Sequence, residues 1–354
     1  MRVAIPDLIS EPSISSAIAA VEEATPVPID PGPVAVRETV RSWLVFFARL
    51  GDKQPAYCLK VRKPAGCIPM IHRRSEELCT AAEYEMNVRV HRHFSQVPAF
   101  SNSVVSPVAV LPDHDAILTE YAAGRPLKEK LPWRANILTS RWNLSSLMRI
   151  SRMCGAWLRW LHDMSPPDAL PVYCIDTEEF ERRALGAIAN LPETLSRYLP
   201  VEMILECIQE VRAHPSQSAV CHGDFHPGNI LVSGSRITVT DVGTAGVRIP
   251  EDDLAFFVAL MFSQPGRLVF GPLAGKPQFV RRLCDAFLAA YGFPTADGWQ
   301  RLRPMMAMHV VERLARVSVT IEGLPRRAQP LLWHRLASWV TSELPLLLNT
   351  KGTS

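Results

Sequence analysis

The chain has 354 residues, 47% of them hydrophobic, and a formal charge of +3. It is long enough for one large domain or two lobes around a real core, and its near-balanced charge gives no basis for wholesale nucleic-acid binding. Eight cysteines, none in a C-x-x-C pair, argue against zinc and fit a reducing compartment better than a disulfide scaffold. No basic start leads into a long apolar run, and no apolar stretch is long enough to span a bilayer, so the expected location is the cytoplasm.

Residues 1–33 read as an N-terminal extension, with a short helix over 13–23 followed by a proline-rich run unsuited to helix or central strand. Whether that run is an ordered arm or a flexible leader is left open. Alternating apolar residues then predict a weak strand at 34–40, a strong one at 43–50, and a returning strand at 56–62 after the turn Gly51-Asp-Lys-Gln-Pro55. A helix is expected over 75–94, then strands at 103–111 and 116–121. Beyond them the chain turns helical. Leu147, Ile150, Cys154, Trp157, Leu158 and Leu161 mark one helical face within 144–164, which Pro166 and Pro167 end. On that face His162 reads as a buried, hydrogen-bonded core residue. Further helices are expected at 178–189, 201–213, 279–291 and 305–319. The final stretch, 331–348, carries two tryptophans and few charges. It fits a helix packed on the fold, and also one lying on a membrane surface.

Between the helices at 201–213 and 279–291 lies the most informative stretch. His222-Gly-Asp-Phe-His-Pro-Gly-Asn229 precedes two short strands, 229–232 and 237–240, joined by a turn at Ser233-Gly-Ser-Arg236. Asp241-Val-Gly243 ends the second strand. A loop carboxylate (Asp224), an amide five residues on (Asn229) and a second carboxylate (Asp241) supply one base and two oxygen ligands. Phosphoryl transfer needs those groups: a base facing the acceptor hydroxyl, and oxygens holding Mg²⁺ against the phosphates. Read singly, each of the three is equally at home capping a turn; their order and spacing carry the signal.

The spacing matches the kinase catalytic loop and metal-binding D-x-G, and the wording resembles the aminoglycoside phosphotransferase and choline kinase family of small-molecule kinases. The resemblance covers roughly residues 40–345. It implies an α+β, two-lobed protein-kinase-like fold, with an N-lobe sheet and one key helix over 34–122 and a larger, mainly helical C-lobe over 123–348. By the same resemblance Asp224 is the catalytic base, and Asn229 and Asp241 are metal ligands. Lys60 is the strand lysine that holds the ATP phosphates, positioned by Glu85 of the 75–94 helix, with Glu83 as the second choice. Glu120-Tyr-Ala-Ala-Gly124 resembles the hinge: the backbone of Glu120 and Ala122 reads the adenine edge and Thr119 borders the pocket. Asp253 resembles the aspartate that braces the catalytic loop from below.

The chain departs from the kinase pattern in places. No G-x-G-x-x-G precedes Lys60, which weakens the case for tight ATP binding and leaves GTP open as the donor. Val242 stands where protein kinases carry Phe, and Gly223 where they carry Arg. Only a short segment separates Asp241 from Asp253, leaving no room for the long activation segment of protein kinases. A small hydroxyl acceptor, such as a sugar, an amino alcohol or an aminoglycoside, is therefore expected in place of a polypeptide. Over residues 254–354, twelve Lys and Arg face five Asp and Glu, which disfavours a polycationic acceptor. Two rival readings share parts of this pattern. A metallophosphoesterase shares Gly-Asp-x-His at 223–226 but needs a Gly-Asn-His block that the chain lacks. A nucleotide-binding pseudokinase acting as a regulatory partner predicts loss of Asp224, Asn229 or Asp241, and all three are present.

Overall fold

The computed structural model describes residues 12–30, 32–64, 79–131, 141–165, 177–209, 218–243, 245–263, 277–293 and 295–348. The start of the expected helix at 75–94 and the end of the one at 201–213 lie outside these residues. The chain divides into two compact units, Met1–Gly124 with Thr238–Ala245, and Arg125–Ile237 with Gly246–Ser354.

The first unit is built on an antiparallel five-stranded sheet. Its strands are β1 (Ala35–Glu38), β2 (Ser42–Ala48), β3 (Pro55–Arg62), β4 (Pro107–Leu111) and β5 (Ala116–Glu120), in the order β1-β2-β3-β5-β4. Alternation along β3 sorts its side chains: Tyr57, Leu59 and Val61 are buried, whereas Cys58, Lys60 and Arg62 are half-buried on the opposite face. The apolar face needs a cover. Helix α1 (Pro12–Ala24) supplies it, placing Ile14, Ala17 and Val21 in one cluster with Trp43, Val45, Phe47, Leu59 and Leu118. The extension thus joins this core at Ile14, Ala17 and Val21, and the proline-rich run that follows is pinned where Ile29 bridges Arg49.

The opposite face carries helix α2 (Thr80–Ser95), which buries Glu83, Met86, Asn87, Val90 and Phe94. Tyr84 donates its hydroxyl proton to Val108 O on β4 (3.2 Å). The turn from β1 to β2 holds no glycine and is closed by Thr39, whose N–H and Oγ1 both bond Ser42 O at 2.8 Å. Segment 238–245 joins this unit through a parallel bridge between Val104 and Val239 and a bond from Val239 N–H to Ser103 O (2.7 Å). That attachment brings Asp241 into the sheet unit.

The second unit is mainly helical. Its elements are β6 (Arg125–Pro126), α3 (Leu127–Lys130), α4 (Arg141–His162), α5 (Thr177–Ala189), α6 (Glu193–Ser196), α7 (Val201–Gln209), β7 (Ala219–Cys221), β8 (Ile230–Ser233), β9 (Arg236–Val239), β10 (Gly246–Arg248), α8 (Pro250–Phe262), α9 (Pro277–Tyr291), α10 (Thr295–Glu322), α11 (Gln329–Ser342) and α12 (Leu344–Leu348). The chain passes from the second unit into the first within β9. Helix α4 packs on α9, and α10 packs on α5, α7 and α8. Sequence placed the start of α10 after Pro304, but the helix runs ten residues earlier, straight through that proline. The last helices bury Leu336, Trp339, Val340, Leu344 and Leu347. Among the described residues no helix is long and apolar enough to cross a membrane.

Candidate active site

In the first unit, Lys60 of β3 is the centre of an ion cluster. Its Nζ lies 2.8 Å from Glu83 Oε1 and 2.7 Å from Asp241 Oδ1. Burial alone would lower the pKa of Lys60, but Asp241 and then Glu83 outweigh it and hold the ammonium charged well above the usual lysine range. Asp241 adopts φ 66°, left-handed backbone that is uncommon for a residue with a Cβ. This turn follows directly on β9 and carries the carboxylate to Lys60.

The glutamate expected on Lys60 was Glu85, and the structure corrects this to Glu83. The buried stripe of α2 runs through Glu83, Met86, Asn87, Val90 and Phe94 at helical spacing. Glu85 lies two residues from Glu83, about 200° round the helix, and is exposed. Extending the apolar spacing of Met86, Val90 and Phe94 back by three or four residues would have selected Glu83. Sequence reasoning also missed Arg62, whose Nη2 donates to Glu83 Oε2.

At the end of β5, Thr119 is half-buried, with Oγ1 3.4 Å from Cys58 O. The N–H of Glu120 is used by Ser106 O (2.8 Å) and that of Tyr121 by Ala56 O (2.8 Å). The Glu120 side chain is exposed and Ala122 is half-buried.

In the second unit, the loop 222–229 leaves β7 from a buried base. His222 is fully buried, and Gly223 takes φ 75°, a conformation glycine adopts without steric cost. Asp253, in the first turn of α8, accepts the His222 N–H on Oδ2 (2.6 Å) and the Gly223 N–H on Oδ1 (2.8 Å). His162 Nε2 lies 3.2 Å from the same Oδ2, and His162 Nδ1 lies 2.9 Å from the Tyr291 hydroxyl. Both ring nitrogens are thus occupied, as expected of a core histidine. Phe225 points inward and stacks on Trp157 (5.5 Å between centroids, 6° between planes), with Phe257 and Phe287 beside it.

This anchoring fixes Asp224, which is 4% exposed. Asn229 Nδ2 donates to Asp224 O (3.0 Å) and to its Oδ2 (3.2 Å). The amide oxygen, Asn229 Oδ1, is the side-chain atom whose chemistry suits a cation. His226, also missed by sequence reasoning, accepts the Gly228 N–H on Nδ1 (2.9 Å). Its ring proton therefore sits on Nε2, which faces Asp224 Oδ1 at 3.8 Å.

His162, Cys221 and Asp253 also gather three potential ligand atoms within 4.8 Å. Their chemistry fits a brace better than a metal centre. Burial, reinforced by Asp253, pushes the Cys221 thiol well up, so it stays protonated, and it lies 3.5 Å from Ile249 O as a donor. The six described cysteines are all free thiols.

The family model of the phosphotransferase enzyme family matches residues 45–305. The chain belongs to this family. It is a phosphotransferase acting on hydroxyl acceptors, with the protein-kinase-like fold of small-molecule kinases. Among similar solved structures is a choline/ethanolamine kinase family protein from Mesorhizobium loti, 16% identical with TM-score 0.54, covering 96% of each chain. A glucosamine kinase solved with glucosamine, ADP and inorganic phosphate is 17% identical with TM-score 0.58, covering 96% of this chain and 88% of that one. An amicoumacin kinase solved with AMP-PNP and Ca²⁺ is 14% identical with TM-score 0.55, covering 96% of each chain. At such identities the likeness carries the fold alone. No curated protein matches.

Proposed function

We propose that this phosphotransferase moves the γ-phosphate of ATP or GTP, with Mg²⁺, to the hydroxyl of a small acceptor such as a sugar, an amino alcohol or an aminoglycoside. The observation that carries the reading is Lys60 held between Glu83 and Asp241, residues distant in sequence, at 2.8 and 2.7 Å. The same pairing of strand lysine and helix glutamate is what a kinase uses to hold phosphates. The nucleotides in the glucosamine and amicoumacin kinase structures support the donor class.

The roles follow from the chemistry of each group. Asp224, buried and with its backbone oxygen and Oδ2 held by Asn229, orients the acceptor hydroxyl and takes its proton. Lys60 steadies the phosphates while Glu83 keeps it in place. The Glu120 carbonyl and the Ala122 N–H read the base edge of the nucleotide, with Thr119 beside it. Asn229 Oδ1 and the Asp241 carboxylate are hard oxygen donors suited to Mg²⁺. When bound, that ion neutralises phosphate charge. The family resemblance supports the two-lobe boundaries 34–122 and 123–348, and the basic excess over 254–354 favours a neutral or anionic acceptor over a polycationic one.

The test is thermal unfolding with ATP or GTP, with and without Mg²⁺, followed by a panel of sugars, amino alcohols and aminoglycosides. A ligand that binds only the native state raises the melting temperature. A Mg²⁺-dependent nucleotide shift with a further shift from one acceptor class is expected. No nucleotide shift at saturation would contradict the reading.

A further inference from the structure

We infer that Arg62 is a positioning residue for the phosphate-binding lysine, acting through Glu83; this rests on the nucleotide-site reading above. Lys60 and Arg62 are two residues apart on β3 and share a face of the sheet. Both turn to the same carboxylate, Lys60 to Oε1 at 2.8 Å and Arg62 to Oε2. The Glu83 side chain is only 2% exposed, against 20% for Lys60 and 13% for Arg62. Each of its oxygens thus has its own cation. A third contact closes the pocket: a Cβ built on Gly243 would stand 3.0 Å from Glu83 Oε2, so the glycine of Asp241-Val-Gly243 leaves the room that the carboxylate fills.

Charge explains why the second cation is needed. Lys60 serves two carboxylates, Glu83 and Asp241. With Arg62 the four groups sum to zero; without it one lysine faces two anions, and a carboxylate buried to this degree depends on its remaining partner. Lys60 would then be drawn harder onto Glu83 and away from a phosphate. Arg62 satisfies Glu83 independently, so the lysine can hold its position and still face an anionic ligand. The arginine meets the carboxylate of Glu83 and through it acts on the nucleotide indirectly.

The experiment is a double-mutant cycle read by calorimetric binding of Mg·ADP and of adenosine, or of Mg·GDP and guanosine where the wild type prefers guanine. Arg62→Met is expected to weaken the diphosphate about tenfold, within the range of coupled neighbours, and to leave the nucleoside unchanged. In a Glu83→Gln background the same substitution should have no further effect, and Arg62→Lys should restore most of the affinity. Equal losses for diphosphate and nucleoside would make Arg62 merely structural and overturn the inference. Additive losses would overturn it too, by showing action that bypasses Glu83. Should Arg62→Met not fold, Arg62→Gln runs the same cycle. The wild-type arm reads the nucleotide site by itself: if it binds no diphosphate, that reading fails and this one with it, whereas wild-type binding with an indifferent Arg62→Met overturns only the role of Arg62.

Discussion

Replacing Asp253 by alanine tests how the loop that carries Asp224 is held. The carboxylate is 1% exposed and accepts two backbone N–H groups, from His222 at 2.6 Å and Gly223 at 2.8 Å, with His162 Nε2 at 3.2 Å. A hydrogen bond to a charged group contributes about 1.5–3 kcal/mol. Two of them give about 3–6 kcal/mol, offset in part because the buried carboxylate no longer has to be desolvated. Alanine also strands both donors in a dry site, so a net loss of about 3–5 kcal/mol is expected, as when one partner of a buried ionic contact is removed. Asparagine keeps one acceptor oxygen and should lose about half as much. Urea unfolding followed by tryptophan fluorescence measures this, since Trp157 lies 6.4 Å from the His222 ring. The brace should also matter to chemistry, because Gly223 directly precedes Asp224. A loss below about 1 kcal/mol, within the range of a single neutral hydrogen bond, would refute the reasoning.

Phe225→Ala empties a site lined by Trp157, Phe257 and Phe287 and should cost about 3–5 kcal/mol in unfolding experiments; Phe225→Leu should cost clearly less. Acid stability should depend on Asp252. Burial pushes its carboxyl up, but the hydrogen bond and charge of His309, with Arg248 and Arg183, outweigh burial and hold it at about 2, below the usual 3.8. Because the folded value is depressed, the stabilisation is present above pH 3.8 and is lost as pH falls towards 2. Wild type should lose about 2 kcal/mol in that window that Asp252→Asn does not, as read by denaturant midpoints between pH 5 and pH 2.

The sheet, most of the helices and the geometry of the loop 222–229 were legible because their signals are local. Alternation along β3 and a turn at Gly51 define a hairpin without outside help. His222 to Asn229 is a contiguous motif, and its spacing survives in the contacts between Asn229 and Asp224. Glu83 was harder to read because the phase of a short helix is decided by what it packs on. The buried stripe runs through Glu83, Met86, Val90 and Phe94 and leaves Glu85 exposed. Arg62 was hidden for a different reason: a half-buried arginine on an alternating strand looks like a solvated residue until its carboxylate is found 21 positions away. The packing of α1 on the sheet was likewise out of reach, since nothing in residues 12–24 says that the back of β3 lacks a cover. The run of α10 through Pro304 reverses the usual weight of a helix-breaking residue.

The most direct test of the central claim is phosphoryl transfer itself. Phosphorus NMR of ATP or GTP with Mg²⁺ and each acceptor class would compare wild type with Asp224→Asn. Nucleoside diphosphate and a phosphorylated acceptor are expected from the wild type. Turnover should fall about 10²–10⁴-fold in the variant, the range for a lost general base, with nucleotide affinity retained. Transfer at the wild-type rate by Asp224→Asn would contradict a general-base role for Asp224.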